Sequence, residues 1–320
     1  MITLEEIEDA YKRIKETINK TPVMTSRTLD DRVKARVFCK CENFQRMGAF
    51  KMRGAFNTIS QLSKDEKAKG VITHSSGNHA QALALSARIL GVKAVVVMPK
   101  NSPQVKINAT KGYGAEVVLC EPTLVSREET TNKLIAEHGY TLVHPYDNDN
   151  IIRGAGTAAY ELIKEVGDLD FVFCPVGGGG LLSGTSIATK GLCPKSKVIA
   201  VEPRNADDAY HSFHTGKIIE NKTTNTIADG LRTNLSQRTF DIIKKNVDQV
   251  ILVSEQEIID AMRFLWERMK IVVEPSGAVP LAGVLSGQVP VQGTRVGTIL
   301  SGGNIDLEEF FQLVQAKIKG

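Results

Sequence analysis

Short β-branched runs alternate with helix-length segments along nearly the whole chain, and this pattern leaves few folds open. Strand candidates are 35–41 (ARVFCKC), 70–73 (GVIT), 93–99 (KAVVVMP), 115–121 (AEVVLCE), 170–176 (DFVFCPV), 197–203 (KVIAVEP), 249–254 (QVILVS) and 295–301 (RVGTILS). Helix-like stretches at 78–90, 126–138, 156–166 and 256–269 lie between them. Strand and helix in regular alternation predict an α/β fold built on parallel sheets. The strands are apolar runs rather than strict alternations, so both faces of each sheet are expected to be covered. A length of 320 residues is long for one core and suits two lobes. No Pro/Gly/Ser-rich linker separates them, so the crossovers themselves must join the lobes.

Composition excludes several functions. Forty basic residues against 36 acidic leave a net charge of +4, which gives no reason to expect a nucleic acid or an anionic membrane as partner. No apolar run approaches the ~20 residues of a membrane span. The first residues, MITLEEIEDAYKRIKE, read as an acidic amphipathic helix and not as a secretory signal. Five cysteines, an odd number with no CxxC pair, read as reduced thiols of a cytosolic protein. Cys39 and Cys41, two apart on a strand, share one face as small packing residues.

Ligands of open α/β sheets collect at the carboxyl ends of strands. The strand at 170–176 runs there into GGGGLLSG, residues 177–184, and then into a helix. Four glycines in succession cost backbone entropy. Their use is close approach: amides without Cβ atoms curl around an anion, and the following helix N-terminus adds its dipole. The stretch lacks the GK[ST] ending of a Walker loop. Gly177 and Gly179 fit the first two positions of a dinucleotide fingerprint, but the third falls on Leu182. Glu202 follows the next strand about where a ribose partner would sit, so a nicotinamide-dependent oxidoreductase stays open at this point.

Lys51 lies in FQRMGAFKMRGA (44–55), between Phe50 and Met52 and among small residues. A lysine desolvated by such company has a lowered pKa and, as a neutral amine, attacks carbonyls. A lone lysine of this kind otherwise snorkels at the surface. Together with a phosphate cradle it suggests a phosphorylated aldehyde, of which pyridoxal phosphate is the common one. Ser75, Ser76, Gly77 and Asn78 form a polar turn opening a helix, whose amides could hold a carboxylate and whose hydroxyls could move a proton. The same residues also suit an ordinary helix cap. LSGGN (300–304) ends the last strand, with Ser301 turned to the crevice and two glycines leaving room for a ring.

GAFKMRGA, SSGNHAQ, VGGGGLLSG, VEPRNADD, TIADG, IVVEPSGA and LSGGN run in this order from about residue 20 to 306. With them the chain resembles the fold-type II pyridoxal phosphate enzymes, and within that group the serine racemase and serine/threonine dehydratase family. The resemblance implies a two-lobed, tryptophan synthase β-like fold of open, twisted, largely parallel sheets flanked by helices. It also implies a discontinuous large domain (1–65 and 149–320) and an inserted small domain (66–148). It implies that Lys51 holds the cofactor as a Schiff base and is the base on one face, with Ser76 the acid/base on the other. Phe50 would flank the pyridine ring and Asn78 would bond its phenolic oxygen. Gly177, Gly178, Gly179, Gly180 and the Leu181 amide would cradle the phosphate, and Ser301 would bond the ring nitrogen. Ser75, Ser76, Gly77, Asn78 and His79, with Arg127 and His144, would face the substrate.

The resemblance gives VEPRNADD a second meaning, a divalent cation site formed by Glu202, Asp208 and the carbonyl of Ala206. Hard oxygen ligands suit Mg²⁺, with Ca²⁺ or Mn²⁺ as substitutes. The bland alternative is an acidic helix start. One departure stands out: Gly154-Ala155-Gly156-Thr157 occupies the place of the family's Gly-Gln-Gly-Thr, so the glutamine amide that would serve domain closure or nucleotide activation is missing. The implied activity is racemisation of serine together with β-elimination to pyruvate and ammonia. A threonine or 3-hydroxyaspartate dehydratase, and more distantly an oxidoreductase or a non-catalytic binding protein, are the alternatives. No added regulatory segment is read after about residue 306. A cytoplasmic homodimer with a possible nucleotide effector completes the expectation.

Overall fold

The computed structural model describes residues 2–315. Ten strands form two sheets. β1 (Val23–Met24), β2 (Arg36–Cys41), β7 (Phe171–Pro175), β8 (Lys197–Pro203), β9 (Gln249–Val253) and β10 (Arg295–Leu300) make the larger, in the order β1-β2-β10-β7-β8-β9. Only the β1–β2 pair is antiparallel. β3 (Val71–His74), β4 (Ala94–Pro99), β5 (Glu116–Cys120) and β6 (Thr141–Leu142) make the smaller sheet, wholly parallel, in the order β5-β4-β3-β6. The eight expected strands are present with ends shifted by one residue at most; the two-residue strands β1 and β6 carry too short a pattern to read.

Fourteen α-helices of the described residues cover the sheets: α1 (Leu4–Ile14), α2 (Arg27–Val33), α3 (Lys51–Ser60), α4 (Lys64–Lys69), α5 (Asn78–Ile89), α6 (Gln104–Gly112), α7 (Leu124–His138), α8 (Asp149–Val166), α9 (Gly180–Leu192), α10 (Asp208–Thr215), α11 (Gln237–Asn246), α12 (Glu255–Phe264), α13 (Pro275–Leu285) and α14 (Leu307–Gln315). Every residue of β4 and β7 is buried, as runs such as AVVVMP require when helices lie on both faces. One apolar cluster packs α12 and α13 against one face of the larger sheet, and another packs α8 and α9 against the other.

Two helix boundaries correct the sequence reading. The helix expected from 156 starts at Asp149, capped by the Asn148 side chain. Its glycines are paid for by contact: a Cβ on Gly184 of α9 would stand 2.5 Å from the Gly156 amide nitrogen of α8, so only this pair lets the two backbones meet. The helix read as 256–269 runs regularly to Phe264 and finishes as one π-helical turn, Leu265–Met269.

Four fully buried charged side chains brace α3 from behind. Arg53 donates to both carboxylate oxygens of Glu42 at 2.7 and 2.8 Å and to both of Glu161 at 2.9 and 2.8 Å. Lys40 on β2 adds a 2.7 Å ion pair to Glu161 and a 2.7 Å bond to the Thr21 carbonyl. Two cations against two anions leave the group neutral, the condition under which buried charge is tolerated.

Candidate active site

Lys51 is the first residue of α3, and the end of β10 sets its place. Ala49 bridges Gly302, the Phe50 amide donates to the Ser301 carbonyl at 3.0 Å, and the Gly303 amide donates to the Gly48 carbonyl at 2.9 Å. Lys51 is partly buried, and desolvation of its amine lowers the pKa to about 8 against the opposing effect of Glu274. Nζ donates to the Pro145 carbonyl at 2.8 Å and lies 5.1 Å from the centre of the Phe50 ring. The apolar company of Lys51 thus does what the sequence suggested: it favours the neutral amine.

Pro145 belongs to the turn between β6 and α8, and that turn closes onto the glycine loop. The Tyr146 ring lies directly against Gly178, and its backbone lies against Gly180. Gly179 adopts φ +85°, a left-handed conformation that favours glycine. Among the described residues the amides of Gly178, Gly179, Gly180 and Leu181 donate to no protein carbonyl, and they stand at the N-terminus of α9. Side-chain packing therefore occupies one side of the loop and leaves its amides for an anion, as a phosphate requires.

The third element is the start of α5. The expected serine or asparagine cap is absent: Gly77 holds the cap position and no side chain caps the helix. The Ser75 hydroxyl accepts only the Gly77 amide, at 3.3 Å, and Asn78 is committed elsewhere, so the first amides of α5 stay open to a carboxylate. Asn78 donates through Nδ2 to Glu274 Oε1 at 2.7 Å and accepts at Oδ1 from Asn304 Nδ2 at 2.8 Å. Glu274 lies within the quoted IVVEPSGA, but its partner stands 196 residues away and no local pattern reveals it.

The histidines of the cleft are neutral. Burial holds His79 down to about 3, and Nε2, facing the Val143 carbonyl at 2.9 Å, must carry the proton. Burial brings His144 to about 4, and its Nδ1 accepts from the Tyr146 and Asp147 amides at 3.3 and 2.8 Å, which leaves the proton on Nε2. His74, at the end of β3, stacks edge-on with His144 and is held low by burial and by the Arg127 guanidinium. Arg127 makes no ion pair among the described residues.

Glu202 and Asp208 form a separate acidic pair. Glu202, at the end of β8, accepts the Ala209 and Tyr210 amides at 3.0 and 2.8 Å. Asp208 accepts the Leu235 amide at 2.9 Å and Asn221 Nδ2 at 2.7 Å. Burial, with the charge of Asp208, pushes Glu202 well above the carboxylate range; burial brings Asp208 to about 6. Two buried carboxylates that repel each other, with the buried Ala206 on the connecting turn, make an oxygen donor set suited to a divalent cation.

A desolvated lysine at a helix start, a glycine loop whose amides donate to no protein carbonyl, and an uncapped start of α5 suit a phosphorylated cofactor, and the chain belongs to the family of pyridoxal-phosphate dependent enzymes, whose family model matches residues 14–302. The nicotinamide alternative for the glycine loop is thereby set aside. Within the family the chain is 49% identical over 319 residues to an L-threo-3-hydroxyaspartate ammonia-lyase of Saccharomyces cerevisiae, covering 99% of this chain and 98% of that one. It is 49% identical over 317 residues to a serine racemase of Dictyostelium discoideum, covering 98% of each. The crystal structure of serine racemase from that organism superposes with a TM-score of 0.92 at 50% identity, covering 96% of this chain and 99% of that one.

Proposed function

We propose that the protein interconverts L- and D-serine and also eliminates water from serine, the aminoacrylate so released taking up water again to give pyruvate and ammonia, using pyridoxal phosphate. The observation that carries this reading is the desolvated Lys51 amine, held by the end of β10 and bonded to the turn that covers the glycine loop. When bound, the cofactor disperses the charge left at the substrate α-carbon once its proton is removed.

The chain's residues do the rest. The amides of Gly177–Leu181 hold the phosphate, Phe50 flanks the ring, Ser301 bonds the ring nitrogen and Asn78 the phenolic oxygen. The open amides of Ser76, Asn78 and His79 bind the substrate carboxylate. Lys51 Nζ holds the α-proton on one face, and Ser76 Oγ gives or takes one on the other. Return of a proton by Ser76 inverts the centre; departure of the β-hydroxyl leads to the keto acid. One tenfold change in the balance needs only ~1.4 kcal/mol. Glu202, Asp208 and the Ala206 carbonyl would hold Mg²⁺, whose charge would offset the two buried carboxylates at the start of α10. The reading includes the small domain at 66–148, which fits the span of the smaller sheet, a homodimer whose response to a nucleotide is put in question by Ala155 in place of the family's glutamine, and a cytoplasmic setting, which fits five unpaired buried thiols.

A second reading, elimination from 3-hydroxyaspartate, is favoured by Arg127, a guanidinium close enough to act on His74, with no ion pair among the described residues and one long bond to the Thr123 carbonyl of its own helix. The test is purified protein with L-serine and Mg²⁺, with D-serine and pyruvate measured in one tube and L-threo-3-hydroxyaspartate in a parallel one. D-serine supports racemisation. Pyruvate without D-serine reduces the activity to a dehydratase, and turnover of hydroxyaspartate alone selects the second reading.

A further inference from the structure

Glu274 is a buried carboxylate with no ion pair among the described residues, although it stands at the centre of the site. Its surroundings determine the orientation of Asn78 by a chain of constraints. The Met47 carbonyl accepts at 2.7 Å, so the group of Asn304 facing it must be the amino group Nδ2. The other proton of Nδ2 then reaches Asn78 at 2.8 Å, and the atom that receives it must be Oδ1. Asn78 Nδ2 is thereby turned to Glu274 Oε1 at 2.7 Å, while Glu274 Oε2 accepts the Asn304 amide at 3.1 Å. A flipped Asn78 would set oxygen against carboxylate and amine against amine. One N–H of Asn78 remains unused among the described residues.

The carboxylate itself has little freedom. The Glu274 amide donates to the Gly302 carbonyl at 3.1 Å, and a Cβ on Gly302 would come within 2.5 Å of Oε1, so the β10 loop presses on it. The charged groups around it are Lys51, Asp229 and Lys106, the last two paired to each other at 2.6 Å. Burial and the Asp229 charge raise Glu274 to about 8, with Asn78, Lys106 and the Asn304 amide opposing.

We infer that Glu274 is a positioning residue for the cofactor: with Asn304 it locks the Asn78 carboxamide so that its one unused N–H is presented to the phenolic oxygen of the pyridine ring. This rests on the reading of Asn78 given above. It also gives a reason for a buried acid where apolar packing would cost less, since both of its carboxyl oxygens are engaged as acceptors, Oε1 from Asn78 Nδ2 and Oε2 from the Asn304 amide.

The test is spectroscopic and uses the holoenzyme. A donor at the phenolic oxygen favours the cofactor's visible absorption over its near-ultraviolet absorption. Loss of one hydrogen bond of about 1 kcal/mol changes such a balance about fivefold. Asn78→Ala is expected to lower the visible-to-ultraviolet ratio by about that factor. Glu274→Gln should lower it comparably, and the double variant no further than Asn78→Ala alone. Asn304→Ala, which leaves the carboxylate in place, should move the ratio the same way and serves if Glu274→Gln does not fold. An unchanged ratio in Glu274→Gln and Asn304→Ala, with a shift in Asn78→Ala, overturns the inference and leaves the reading of Asn78 standing. No shift in Asn78→Ala overturns both. A double variant that falls well beyond the single Asn78 variant means that Glu274 acts on the ring directly, and the positioning role is wrong.

Discussion

The ring of Tyr146 occupies the space that a side chain on Gly178 would need: a Cβ there would stand 2.3 Å from Tyr146 Cδ1 and 2.4 Å from Cε1. The second glycine of the cradle is thus required by a tyrosine of the chain itself. We predict that Gly178→Ala loosens cofactor binding by about 5- to 150-fold, as an overlap of about 1–3 kcal/mol implies. Adding Tyr146→Ala should recover most of that loss. Cofactor dissociation followed by absorbance checks it; a double variant as weak as Gly178→Ala alone would mean that the added methyl meets the phosphate instead.

Lys51→Ala is expected to leave a folded protein that lacks the visible band of the bound cofactor, because the amine that forms the covalent link is gone. A cleft with a neutral alanine in place of a desolvated amine should be no less stable in thermal unfolding. Retention of the band would refute the assignment of Lys51.

Ser76→Ala should cut D-serine formation by about 10²-fold or more, the usual effect of losing a general acid or base. Pyruvate formation from L-serine should fall much less, since that route needs no proton delivered to the opposite face. Equal losses in both products would refute the two-sided arrangement of Lys51 and Ser76.

The Glu202–Asp208 pair predicts a pH signature. Both carboxylates are raised in the folded protein, so without a cation the fold is favoured while they stay protonated. Stability is lost as pH rises from the unfolded value near ~4 through about 6 for Asp208. Mg²⁺ should therefore raise the melting temperature more at about pH 7.5 than at about pH 5, by mass action on the folded state, and Asp208→Asn should remove most of the difference. A melting temperature indifferent to Mg²⁺ and to chelator at both pH values removes the metal site.

The network of Lys40, Glu42, Arg53 and Glu161 should answer to single truncation. Glu161→Ala strands a buried guanidinium and ammonium and is expected to cost about 3–5 kcal/mol in chemical denaturation. A cost below about 1 kcal/mol would mean that water enters the cluster.

The parts of this architecture that were legible beforehand are those written in neighbouring residues. Runs such as KVIAVEP and AVVVMP carry their burial in their own composition, and β8 begins and ends where its run does. The glycine loop, Lys51 and the turn at Ser75–Asn78 could be read because each is unusual within about ten residues. The rest depended on distant partners. α8 begins seven residues before its pattern, because Gly154 and Gly156 look like breakers until α3 and α9 are laid against them. α3 hid behind Gly54 in the same way. Glu274 and Tyr146 looked like ordinary residues, and only the fold brings one to Asn78 and the other to Gly178.

β10, the last strand in the sequence, lies in the middle of the larger sheet between β2 and β7. A ribosome therefore releases some 250 residues after β2 before the strand that joins β2 to the rest exists. Until then the two portions of that sheet are separate surfaces with unpaired edges, and Ser301, Gly302 and Asn304 have yet to be made. The nascent chain has nowhere to hold Phe50 and Lys51 in place. Cofactor loading must come after synthesis of this sheet is complete, and chains stalled before residue 295 should be clients of chaperones and proteases rather than partly active enzymes.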